Sequence, residues 1–229
     1  MHGLLNSKWT KRGVFLLCLV PALLLVIRAF TGGLGANPIS AITLTTGDWT
    51  IYFLLLTLAI TPARKLLAQP DLIRFRKMLG LYAFFYACLH FLTLIVFDHA
   101  FDFAAIMEDV YKRPFITVGF AAFVLMIPLA VTSTAKMIRR LGKNWLRLHR
   151  LIYLTAVLGI VHYYWLVKSD VTLPVRYALI LAALLSARVV FWWLGKNRKA
   201  SASTLHKSST RSEEHTSELQ SLAYLVCRL

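Results

Sequence analysis

The chain has 229 residues, 58% of them hydrophobic, and a mean hydropathy of +0.64, far above that of a soluble globular domain. Lys and Arg outnumber Asp and Glu by 26 to 10, for a net charge of +16. The basic residues gather in some joints between apolar runs and are thin in others, which points to membrane topology and anionic lipid and argues against a nucleic-acid partner. Cys18, Cys88 and Cys227 show no C-x-x-C pairing, so a disulfide or zinc framework is not expected.

Six apolar runs approach bilayer thickness and predict an all-α membrane protein with six transmembrane helices. In chain order they cover Val14–Phe30, Trp49–Ala63, Met78–Phe97, Phe115–Thr132, Leu151–Val167 and Leu173–Leu194. The first follows Lys8, Lys11 and Arg12 as a signal peptide would. It also carries Arg28 and no small-residue cleavage site, so it reads as a retained helix. The second is short for ~30 Å of hydrocarbon, and its ends should extend into the polar flanks. The sixth carries Arg176 and Arg188, placed to snorkel towards opposite surfaces.

The joints fix an orientation. Basic residues mark the N-terminus, the second joint (Arg64, Lys65, Arg74, Arg76, Lys77), the fourth (Lys136, Arg139, Arg140, Lys143, Arg147, Arg150) and the segment after the last span (Lys196, Arg198, Lys199). The first joint, TGGLGANPISAITLTTGD, has neither Lys nor Arg, and the third sets Asp98, Asp102, Glu108 and Asp109 against Lys112 and Arg113. Both termini are therefore expected in the cytoplasm, with the odd joints outside. The third joint could steer a basic patch of an acceptor protein.

Residues 1–200 read as one membrane domain and 201–229 as a tail. From Arg211 the stretch RSEEHTSELQS is what a common sequencing adapter would encode, so 211–229 is set aside from functional reasoning.

Histidines carry the chemistry. His90 lies ~18 Å along the third span from its cytoplasmic end, and His162 ~20 Å from His149 along the fifth. The two reach matched depth in the outer half of the bilayer, where neighbouring helices could offer both as axial ligands to one haem. His149 stays at the cytoplasmic side, where it could serve a second haem or contact a quinone. At ~100° per residue it points about 140° away from His162. No histidine on the third span matches it, and Met78 is the nearest other donor in depth. Each histidine could instead bond a carbonyl across helices, and a histidine-relay transporter or proton path is the alternative function. His2, His99 and His206 are expected to face solvent. Tyr82, Phe84, Phe85, Tyr86 and Phe91 could line a flat macrocycle. Arg74, Arg76, Lys77, Arg147 and Arg150 could pair with its carboxylates or with lipid phosphates.

The segments TLAITPARKLL, RFRKMLGLYAFFYACLH, KRPFITVG and LAVTSTAKMIRRLGKNWLRLHRLIYL…HYYWLVK together resemble the MsrQ family. That family comprises the haem-binding membrane subunits of the bacterial periplasmic protein-methionine-sulfoxide reductase system, related to ferric-reductase-like transmembrane proteins. The resemblance runs from about Trp9 to Trp193. It implies a ferric-reductase-like bundle in the inner membrane with one or two b-type haems, whose ligands fall on His90, His149 and His162. It implies electrons taken from quinol of the quinone pool and passed to a periplasmic molybdopterin enzyme that reduces methionine sulfoxide in proteins, so the chain would be a redox subunit and not the catalytic one. FMN is associated with the family, without a site identifiable on these residues. Relatives that are single-chain reductases carry a flavin/NADPH domain after the last span. None is seen here, which implies a separate donor.

Overall fold

A computed structural model describes residues 7–167 and 169–197. The described residues are mostly helical, with no strand among them. The long helices are α1 (Lys8–Phe30), α2 (Pro38–Leu66) and α3 (Ile73–Thr93), the last entered through a 3-10 turn at Pro70–Leu72 and continued by a π-helical turn at Leu94–Asp98. Then come α4 (Phe103–Lys112), α5 (Pro114–Val131), the short α6 (Ala135–Leu141) and α7 (Lys143–Leu148), α8 (Leu151–Leu166) and α9 (Thr172–Asn197).

Among the described residues, five segments are long and apolar enough to cross a membrane: Lys8–Phe30, Pro38–Leu66, Pro70–Asp98, Pro114–Val131 and Thr172–Asn197. The remaining apolar run is α8, whose 16 residues extend about 24 Å. Leu16, Leu17, Leu23 and Leu24 on α1 are exposed, as side chains facing lipid would be.

Helix ends differ most from expectation. The polar run taken as the first joint is helical from Pro38 onward. Asn37 caps it by accepting from the Ser40 N–H at 3.1 Å, and Pro38 occupies the first turn, where its missing N–H costs nothing. Ser7 starts α1 in the same way, seven residues before the apolar run begins. The third joint is not an open loop. Asp102 accepts from the N–H groups of Ala104 and Ala105 and opens α4 inside it.

Within the first compact unit, Met1–Leu184, α2 packs mainly against α3 and α5 mainly against α8. Phe53 of α2 stacks on Tyr82 and Tyr86 of α3, with centroids 5.6 and 5.3 Å away. The two tyrosines then tie α3 to α1. Tyr82 donates to the Phe15 carbonyl at 2.8 Å. The Tyr86 hydroxyl accepts from Ala22 N–H at 3.1 Å and donates to the Cys18 carbonyl at 2.9 Å. It thus bridges the two ends of one helical repeat beside Pro21, where the ladder already lacks a donor. Cys18 and Cys88 are free thiols.

The second unit, Leu185–Leu229, begins within α9. The expected tail over 201–229, its adapter-like part from 211, and His2, His206, His215 and Cys227 all lie outside the described residues.

Candidate functional site

His90, near the end of α3, and His162, near the end of α8, face each other with ring centroids 6.1 Å apart and planes at 76°. Two imidazoles opposed across one metal atom, each bonded at about 2 Å, hold their centroids at about 6 Å. Each ring is clamped on its other side. His90 Nδ1 lies 2.9 Å from the Thr43 carbonyl and His162 Nδ1 lies 2.6 Å from the Phe115 carbonyl. A carbonyl only accepts, so Nδ1 carries the proton in both rings and Nε2 keeps its lone pair. A hydrogen bond of this kind is what orients metal-ligating histidines.

Glycines make room for the rings. A Cβ on Gly47 would sit 3.2 Å from His90 Cε1 and Nδ1, and one on Gly119 only 2.6 Å from His162 Nδ1. The two halves repeat one plan. Each histidine bonds a carbonyl 47 residues upstream, and in each half the cradling glycine follows that carbonyl by four positions. Helix pair α2–α3 thus does for His90 what α5–α8 does for His162. Sequence reasoning missed both glycines, although T-x-G recurs at Thr45–Gly47, just before the second apolar run, and at Thr117–Gly119, at the start of the fourth.

Around the pair lies a cavity of about 630 Å³, inside the ~300–1,000 Å³ range of cofactor sites. Its wall is largely apolar, with Leu44, Ile51, Leu54, Phe91, Phe120 and Met126 among the lining residues. Of the aromatics expected along a macrocycle, only Phe91 lines it. Tyr82 and Tyr86 are spent on α1, and Phe84 stacks on Phe123. Among the described residues no group of three or more His, Cys, Asp or Glu is placed to hold a bare ion. Two imidazoles suit a metal that brings its remaining ligands with it, as a porphyrin-bound iron does.

Asp48 also lines the cavity, as does Tyr163, and stands one residue beyond Gly47. It reads in the sequence as the polar end of a joint, yet it is the eleventh residue of α2. Behind it the hydroxyls of Tyr52 and Tyr177 meet at 3.0 Å.

His149 is not brought to this pair. It follows α7, with its ring stacked on Trp145 at 3.9 Å, its Nδ1 3.2 Å from the Trp145 carbonyl and its Nε2 3.4 Å from Ser133 Oγ. Burial holds its pKa below the ordinary imidazole value, so it is neutral near pH 7. His99 is a correction. Expected in solvent, its side chain is only 14% exposed, and its Nε2 lies 3.2 Å from Asp109 Oδ2 at the cavity mouth. Ala100 and Phe101, both at positive φ (45° and 70°), reverse the chain straight after the π-helical turn and set His99 there. Three of the four acidic residues of the third joint have local partners: Asp102 caps α4, Glu108 pairs with Lys112, and Asp109 with His99 and Arg113.

Residues 46–160 match the family described as ferric reductase like transmembrane component. A protein of Herminiimonas arsenicoxydans named protein-methionine-sulfoxide reductase heme-binding subunit MsrQ is 55% identical over 82% of this chain and 88% of its own length. Those of Ralstonia nicotianae and Rhodospirillum rubrum, with the same name, are each 52% identical, over 82% and 77% of this chain and 88% and 86% of theirs. The chain belongs to the MsrQ family. No solved structure matches it. With the MsrQ family comes a multi-pass membrane protein, in keeping with the five long apolar helices. The ferric-reductase-like match takes in Gly47, His90, Gly119 and His149 and ends two residues before His162.

Proposed function

We propose that this chain is the haem b subunit of a bacterial methionine-sulfoxide reductase system, carrying electrons from quinol across the inner membrane to a periplasmic molybdopterin enzyme. The observation that carries the reading is the facing of His90 and His162, with both Nδ1 atoms tied to carbonyls and both Nε2 lone pairs left for iron. The names of the relatives, heme-binding subunits of a protein-methionine-sulfoxide reductase, support it independently.

In this reading His90 and His162 would be the residues that hold the iron, and the Thr43 and Phe115 carbonyls fix tautomer and ring direction. Gly47 and Gly119 allow the close approach. The apolar wall excludes water and so limits the reorganisation that accompanies a change of charge. The haem, when bound, supplies a one-electron redox centre. His149 is assigned to the donor side, where its edge at Ser133 and its stacked face on Trp145 suit a planar, hydrogen-bonding quinol or the edge of a second haem. The topology that goes with this function has six spans, α8 included, and both termini in the cytoplasm.

The test is spectroscopic. Purified protein should show a Soret band and sharpened α-bands on reduction, as paired imidazole ligands give. His90→Ala and His162→Ala should each lose most of the haem while staying folded in detergent. Full haem content with an unchanged reduced spectrum in both variants would overturn the assignment.

A further inference from the structure

The mouth of the cavity is built differently from its wall. Arg113 is the one Lys or Arg side chain among its described lining residues, and it stands two residues before Phe115, whose carbonyl clamps His162. A half-exposed cation thereby lines the cavity that surrounds the paired rings. Opposite it, His99 follows the π-helical turn, and Asp109 of α4 lies between the two. Asp109 Oδ1 lies 3.0 Å from Arg113 Nε in an ion pair, while Oδ2 lies 3.2 Å from His99 Nε2.

Two details say that this cluster is unfinished. The Arg113 side chain is held by Nε alone, which leaves its two terminal amino groups in the fork geometry that suits a carboxylate. His99 Nε2 is buried, and although near Asp109 it is not aligned for a hydrogen bond with any protein atom. A buried polar atom without a partner calls for one. An apolar cavity ending in an arginine fork and an unsatisfied imidazole fits a flat apolar ligand with carboxylates on one edge.

We propose that Arg113 and His99 bind the peripheral carboxylates of the haem held by His90 and His162, with Asp109 as the positioning residue that aims both. This rests on the haem reading above. It fixes which edge of the macrocycle points outward, and it places a salt-bridged polar cluster on the exit side of the electron path.

The test compares ordinary haem with its dimethyl ester, in which both carboxylates are blocked. Membranes from haem-starved cells expressing the full chain are loaded with either form, and release to an excess of apomyoglobin is timed. The parent protein should hold ordinary haem about tenfold longer than the ester, the scale of one charge-assisted hydrogen-bonded pair. Arg113→Gln should release ordinary haem about tenfold faster and lose most of the preference, with the paired-imidazole spectrum kept. Arg113→Lys should retain part of the preference, and His99→Gln and Asp109→Asn should each reduce it. Lys112→Gln removes the same charge one residue away, on an exposed side chain paired with Glu108, and should change nothing. An undiminished preference in Arg113→Gln, or an equal loss in Lys112→Gln, overturns the proposal and leaves the haem reading intact. A parent protein that takes up neither form defeats both.

Discussion

Gly119 and the ring of His162 are packed so closely that a Cβ on the glycine would fall 2.6 Å from Nδ1 and 2.8 Å from Cε1. Alanine in place of a mid-helix glycine normally gains about 0.5–1 kcal/mol. Here the clash outweighs that gain, because His162 is anchored to the Phe115 carbonyl and cannot withdraw without breaking that bond. Gly119→Ala should therefore lose haem or turn its spectrum high-spin, whereas Gly47→Ala, with contacts of 3.2 Å, should do so more weakly. Haem-to-protein ratio and the reduced spectrum check both. Equal haem in the two variants and the parent would show that the rings are not held as described.

Tyr86 is 1% exposed and its hydroxyl serves both Ala22 and Cys18 of α1. Tyr86→Phe leaves those backbone groups short of a partner, at about 1–3 kcal/mol. A lower melting temperature in detergent with the haem spectrum unchanged is the expected result. A change at the haem without a change in melting would mean that Tyr86 acts on the site directly.

These two cases mark what the sequence allowed to be read. The apolar centres of the spans were legible because bilayer thickness imposes a length on composition. Their ends were not, because Ser7, Asn37 and Asp102 set them through single hydrogen bonds from polar residues that look like loop. The matched depth of His90 and His162 followed from counting residues along two helices; that their rings face each other is seen only in the fold. The fit of Gly47 and Gly119 against them depends on which residue lies opposite, and no count along one helix supplies that. His99 was misjudged because the reversal at Ala100 and Phe101 uses left-handed backbone without a glycine to announce it.

Topology can be checked at Ser169, an exposed residue between α8 and α9. If α8 spans, Ser169→Cys reacts with an impermeant thiol reagent added to the outside of spheroplasts, while Lys143→Cys, exposed at the start of α7, reacts only after the membrane is opened. Labelling of both from the same side would remove α8 from the spans.

His149→Ala is expected to slow haem reduction by a quinol analogue more than reduction by dithionite, since its ring meets Ser133 and Trp145, away from the paired histidines. Stopped-flow traces with the two reductants decide it. Equal slowing with both, or none with either, removes His149 from the donor side.

The brevity of α8 has a mechanical consequence. Sixteen residues reach about 24 Å against a hydrocarbon layer of ~30 Å. If α8 spans, the lipid beside it must pinch inward or its flanking residues must stretch to the headgroups, each at a modest cost per ångström of mismatch. A pinch at the helix that presents His162 narrows the insulating layer where charge has to cross it.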